Sequence, residues 1–153
     1  MRLLPGFKRK DFFSSEEKGR IVNAIRHAEL QTSGEIRLYI ESRCRFVDPL
    51  DRAAEIFWAL KMDLTDSRNS VLLYVAAKDH QFAIFADQGI HDKLGDKFWE
   101  NEVKALSSHF SKNDYLDAIE KVIHDIGIDL STKFPYDGTT DKNELPDDIV
   151  FGK

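Results

Sequence analysis

Hydrophobic positions along the chain fall into helical stripes and strand-length runs that follow one another. The first stripe lies in SSEEKGRIVNAIRHAELQTSG, where Ile21, Val22, Ile25 and Ala28 return at helical spacing. Ser14 followed three residues on by Glu17 predicts a capping box, in which each side chain satisfies a backbone N–H that the helix leaves open. Gly34 is placed to end this helix in the left-handed conformation. EIRLYIE, from Glu35 to Glu41, switches to a period of two, with Ile36, Leu38 and Ile40 on one face of a strand. Asp48 then predicts the N-cap of a second helix, with Pro49 at its preferred first position. Leu50, Ala53, Phe57 and Leu60 are its expected core face.

Two continuous apolar runs follow. VLLYVAA, after the loop DLTDSRNS, has the length and composition of a central strand covered on both faces. FAIFAD is a second such run, and the short connection KDHQ predicts that the two pair antiparallel. The second half is helical. Phe98, Trp99, Val103, Leu106 and Phe110 suit one helix. Tyr115, Ile119, Val122, Ile123, Ile126 and Leu130 suit another, starting near Asn113 and stopped before Pro135.

The strand–helix–strand unit predicts a parallel crossover. Helices before, between and after the strands then cover both faces. The expected fold class is α/β: a three-layer α/β/α sandwich around a small mixed β-sheet, Rossmann-like in its layering. The expected organisation is an N-terminal arm over 1–11, the α/β/α domain over 12–135 and an acidic tail over 136–153, ordered in part at most.

Composition narrows the function classes. At 153 residues, with 42% hydrophobic and 32% charged residues, the chain suits one globular domain with a real core. A net charge of −5 argues against a nucleic-acid partner. Cys44 stands alone, which leaves no intrachain disulfide and no CxxC pair. MRLLPGFKRK is broken by Pro5 and Gly6 and is too short for a signal-peptide core, and no later run approaches a membrane span. The expectation is a soluble, cytoplasmic protein without an integral membrane segment. GxxxxGK[ST], GxGxxG, GxSxG and HExxH are all missing, and the five histidines show no metal-binding spacing.

The topology itself brings carboxylates together. If the third strand runs against the first two, its end meets their beginnings. Asp87 then shares a sheet edge with Glu35 and with the loop Asp63 to Asn69. Asp63, Thr65, Asp66, Ser67 and Asn69 bear the oxygens that a hard cation such as Ca²⁺ or Mg²⁺ prefers. The same residue types are ordinary turn formers, and on sequence logic alone the reading of Asp87 as a turn residue leads. An EF-hand is excluded: Arg68 stands at the sixth position, where glycine is needed, and Tyr74 at the acidic twelfth. The opposite edge, with Glu41, Asp48 and Asp51, stays in view because open α/β sheets usually bind ligands beyond the carboxyl ends of parallel strands.

TSGEIRLYIE, AAEIFWALKMDLTDSRNSVLLYVAAKDHQFAIFADQGI, FW and FPYDGTTDKNELPDD together resemble the TPM domain family, over roughly Phe12 to Asp148. The family is named for a thylakoid-lumen protein, a photosystem II repair protein and a modulator of the levamisole receptor. The resemblance is to short bacterial members that end in the NELPD segment, and it implies an α/β/α fold. It also implies divalent-cation binding, Ca²⁺ or Mg²⁺, by positions matching Glu35, Asp63, Asp66, Asn69 and Asp87. Ser70 stands where many relatives have glycine. The leading functional expectation is a non-catalytic, cation-binding interaction module with an unidentified protein partner. A separate reading is a scaffold that binds protein through the Phe98–Trp99 region, against which stands the usual packing of aromatics at a helix start into the core. The alternative is a metal-assisted phosphatase of phosphomonoesters with Asp87 as catalytic base or nucleophile.

Overall fold

The computed structural model describes residues 13–44, 47–97, 99–110, 114–138 and 149–152. Helix α1 (Ser15–Glu29) begins with the expected capping box: Ser14 Oγ accepts from Glu17 N–H at 3.1 Å, and Glu17 Oε1 accepts from Ser14 N–H at 2.8 Å. Strand β1 (Glu35–Glu41) is followed by α2 (Pro49–Ala59), capped by Asp48 through Leu50 N–H. Strands β2 (Ser70–Ala76) and β3 (Gln81–Ala86) form an antiparallel pair, while β1 and β2 are parallel. Then come α3 (Gln88–Leu94), α4 (Glu100–Phe110), α5 (Tyr115–Ser131) and β4 (Ile149–Phe151).

The sheet order is β3-β2-β1-β4, a mixed sheet with β2 fully buried near its centre. Its two faces carry unequal cores. Ile36, Leu38, Ile40, Val71, Leu73, Val75 and Ile84 pack with residues of α1, α4 and α5 in the larger one. Leu72, Tyr74, Ala76 and Ala83 pack with Ala53, Ile56 and Phe57 of α2 in the smaller. Side-chain alternation along each strand divides the layers in this way. The α/β/α architecture is the expected one.

Two local expectations need correction, and two elements lie beyond what the sequence pattern predicts. Helix α1 ends at Leu30 in right-handed geometry, not at Gly34. Gly34 serves packing instead: a Cβ there would lie 2.9 Å from Leu130 Cδ1 and 3.1 Å from the Asn69 carbonyl oxygen. Leu50 is 49% exposed rather than in the core; the buried residues of α2 are Ala53, Ile56 and Phe57. Helix α3 has no counterpart in the hydrophobic pattern; with seven residues and only Ile90 buried, it carries no stripe to read. In the acidic tail, β4 extends the sheet, with Leu38 opposite Ile149 and Ile40 opposite Phe151. Phe98 and the side chain of Phe110 lie outside the described residues; Trp99 is buried, 5% exposed, in the larger core.

The seam between α4 and α5 holds Glu102 near Asp125 and Asp129. Burial first, then a hydrogen bond with Asp125 and its charge, push the Glu102 carboxyl up to about 7 from 4.5. The protonated form is favoured by folding, so this stabilisation is complete below the ordinary carboxyl range and is lost as pH rises through about 7. Glu102→Gln should therefore match the parent at pH 4 and exceed it at pH 8. The gain should be about 1 kcal/mol, discounted for partial exposure, in urea denaturation at both pH values.

Candidate functional site

Glu35, Asn69 and Asp87 meet at the edge where β1 and β2 begin and β3 ends. Glu35 lies opposite Ser70, and its N–H donates to the Asn69 carbonyl at 3.3 Å. The Asp87 N–H donates to the Ser70 carbonyl at 3.0 Å. Glu35, Asn69 and Asp87 are 4%, 1% and 2% exposed. Asp63 is half-buried on the loop, and Asp66 is exposed.

The loop from Met62 to Ser70 is held from within. Ser70, fully buried, donates its hydroxyl to the Met62 carbonyl. Thr65 Oγ1 accepts from Asn69 N–H at 3.3 Å. Asn69 Nδ2 donates to Ser33 Oγ at 3.3 Å. Ser33 N–H in turn donates to the Phe134 carbonyl at 2.9 Å, which fastens the edge to the end of α5.

Asp87 ends its strand for two reasons at once. It is the N-cap of α3, accepting from Gln88 N–H at 2.8 Å on Oδ1. It also forms a two-point ion pair with Arg68, with Nε to Oδ2 at 2.7 Å and Nη2 to Oδ1 at 2.8 Å. Such parallel charge-assisted bonds are among the strong ones. Hydrogen bonding to Asp87 raises the Arg68 pKa further, with the Asp63 charge adding to it. Arg68 itself has φ 51, a left-handed conformation uncommon outside glycine. Its carbonyl accepts from Gly89 N–H at 2.9 Å. The loop and the start of α3 are thus joined by both backbone and side chain.

Arg68 is the residue that sequence reasoning missed. Within DLTDSRN it is the only cationic side chain, and that imbalance was the available signal. Among the described residues no three His, Cys, Asp or Glu side chains are grouped to hold a metal ion. A cation at this edge would have to draw on the Asn69 amide and loop oxygens besides Asp87. The Asn69 Oδ1 atom is suited to that role, since it is buried and receives no hydrogen bond.

The opposite edge has a different chemistry. Glu41, 7% exposed, accepts from Arg52 Nε at 2.9 Å and Nη2 at 3.0 Å, and from the Tyr74 hydroxyl. Burial first, then the bond to Glu41, hold the Tyr74 pKa well above its usual 10. Asp79 receives Arg43 Nη1 at 2.9 Å and Cys44 N–H at 2.8 Å. A cavity of about 450 Å³ opens beside Glu41, Arg43, Arg52 and Glu55. Its charges are paired internally, Asp48 is occupied as a cap, and Asp51 is exposed. Among the described residues no helix is long and apolar enough to cross a membrane.

Known proteins place this architecture. The structure of BA42 from the psychrophilic bacterium Bizionia argentinensis is similar over 95% of this chain and 99% of its own, with a TM-score of 0.85 and 39% identity. The N-terminal domain of the cg2496 protein from Corynebacterium glutamicum matches with a TM-score of 0.61 at 14% identity, over 98% of this chain and 92% of that one. An N-terminal domain of a protein from P. gingivalis matches with a TM-score of 0.65 at 12% identity, over 82% and 80%. The last two show the fold alone. No curated protein matches the chain. The family model described as the TPM domain matches residues 7–128, and the chain belongs to the TPM domain family.

Proposed function

We propose that this TPM domain is a divalent-cation-binding interaction module, with Ca²⁺ or Mg²⁺ held weakly at the edge that gathers Glu35, Asp63, Asp66, Asn69 and Asp87. The observation that carries the reading is Asn69 Oδ1, a buried amide oxygen without a donor. Leaving such an acceptor unmet costs about 1–3 kcal/mol, and amide and carboxylate oxygens are the ligands hard cations take. Arg68, with its side chain 41% exposed, is already the counter-ion of Asp87, so an incoming cation competes with it. A small charge count and that competition put the dissociation constant on the order of 10⁻⁵–10⁻³ M.

Melting in CaCl₂ against NaCl of equal ionic strength is the test. At ten times the dissociation constant, calcium should add about 1.4 kcal/mol. Arg68→Gln should tighten calcium binding several-fold, read by amide shifts at Asn69 and Asp87. Identical melting in the two salts, for parent and variant alike, would sink the reading. The metal-assisted phosphatase reading uses the same residues and has its own readout. It requires Mg²⁺-dependent turnover of a phosphomonoester that Asp87→Asn abolishes.

A further inference from the structure

The outer edge of β3 is the end of the sheet, and no strand among the described residues pairs with it. A cavity of about 470 Å³ runs beside Phe82, Ala83 and Ile84. Three consecutive strand residues point to alternate faces, so a cavity that meets all three lies along the strand's edge. Its walls confirm that placement. Leu50, at the start of α2, stands on one side; Trp99 and Val103, at the start of α4, stand on the other.

The register says which backbone groups face this cleft. Ala86 lies opposite Val71, and the Asp87 N–H bonds to the Ser70 carbonyl, so the pair 70 and 87 is a bonded one. Alternate pairs exchange bonds in an antiparallel ladder. Phe85 and Ala83 therefore bond to β2, whereas the N–H and C=O of Ile84 turn away from it. Among the described residues that line it the rim is acidic: Glu100, Asp96 (its Oδ1 at 3.1 Å from His91 Nδ1) and Asp48 (which also caps α2 through Leu50 N–H) stand against the cation Lys104.

We propose that this cleft docks an extended basic peptide segment of a partner protein, which adds alongside β3. Its backbone bonds to Ile84, an apolar side chain enters between Leu50 and Trp99, and flanking lysine or arginine meets Asp48, Asp96 and Glu100. Strand addition of this kind draws affinity from main-chain bonds and specificity from alternate side chains. A second copy of this chain is the poorer occupant, since its net charge of −5 opposes the acidic rim. The inference concerns a different part of the sheet from the cation edge and does not depend on it.

The experiment is an amide-shift titration of the full chain with a capped heptapeptide alternating lysine and valine. Shifts are expected at Ile84 and from Glu100 to Lys104, weakening as NaCl rises. A glutamate–valine counterpart should give none. The lysine peptide N-methylated on every residue should lose binding, because its N–H groups are gone while its side chains remain. Glu100→Lys, at an exposed position, should weaken binding by about fivefold. Equal binding of the acidic or the N-methylated peptide would overturn the proposal. So would binding that appears only after residues 1–12 are removed, which would give the cleft to the chain's own basic arm. Shifts at Ile84 that depend on protein concentration without peptide would overturn it in favour of self-pairing.

Discussion

Gly89→Ala is expected to destabilise the domain by about 3 kcal/mol, against the sign that helix propensity alone dictates. Alanine in place of a helical glycine ordinarily gains up to about 1 kcal/mol. At position 89, however, a Cβ would stand 2.3 Å from the Ser67 carbonyl oxygen and 2.6 Å from that of Arg68. Both obstacles are backbone, so no side-chain rotation relieves them. The loop must retreat, and with it go the Gly89 N–H bond to Arg68 and the two-point Arg68–Asp87 pair. Gly19→Ala in α1 is the internal control, because a Cβ there meets nothing within 4 Å. It should stabilise by about 0.5–1 kcal/mol. Thermal melts should show a fall of roughly 10 °C for the first variant and a small rise for the second. A neutral Gly89→Ala would mean that the loop is free to move, and the proposed cation edge would then lack its rigid half.

Glu41→Ala should cost a similar amount, about 3 kcal/mol, for a different reason. The carboxylate is the shared acceptor of the Arg52 guanidinium and the Tyr74 hydroxyl, and it is itself buried. Truncating it strands two donors, and breaking a buried pair from one side is among the larger single-residue losses. The Arg52 side chain is 33% exposed and recovers some water, which keeps the cost below the 5 kcal/mol extreme. Tyr74→Phe removes one donor and leaves the ion pair, so about 1 kcal/mol is expected. Denaturant midpoints of the two single variants and the double variant should be non-additive, since Tyr74→Phe has little left to lose once Glu41 is gone. Strict additivity would show that the hydroxyl has another acceptor.

The legible parts of this fold are those where one residue announces its geometry. Ser14 with Glu17, Asp48 with Pro49, and the run from Val71 to Ala77 each define an element by local chemistry alone. The antiparallel turn back into β3 followed from a short connection, and the meeting of Asp87, Glu35 and Asn69 at one edge followed from strand directions. What was not legible depends on contacts distant in the chain. Arg52 reaches Glu41 across the β1–α2 connection, and nothing in their spacing says so. Gly34 looks like a helix stop, yet its constraint comes from Leu130 and Asn69. In the sequence Arg68 only excludes an EF-hand; its left-handed backbone and its guanidinium, which holds Asp87, become visible in the structure. Helix α3 is too short to leave a periodic trace.

The placement of β4 has a kinetic consequence. In β1, Leu38 is the neighbour of Leu73 on one side and of Ile149 on the other. The first partner is thirty-five residues ahead and the second more than a hundred. Each doubling of a closed loop adds only about 0.6 kcal/mol of entropy cost, but three residue pairs offer little to set against it. The last strand should therefore seat after the other three have formed, and open before they do. In amide exchange, the Gly152 N–H bonded to the Ile40 carbonyl should lose its protection at a lower opening free energy than the bonds joining β1 to β2. A sheet that is rigid at its centre and provisional at this border has one side on which the chain can still be remade after folding.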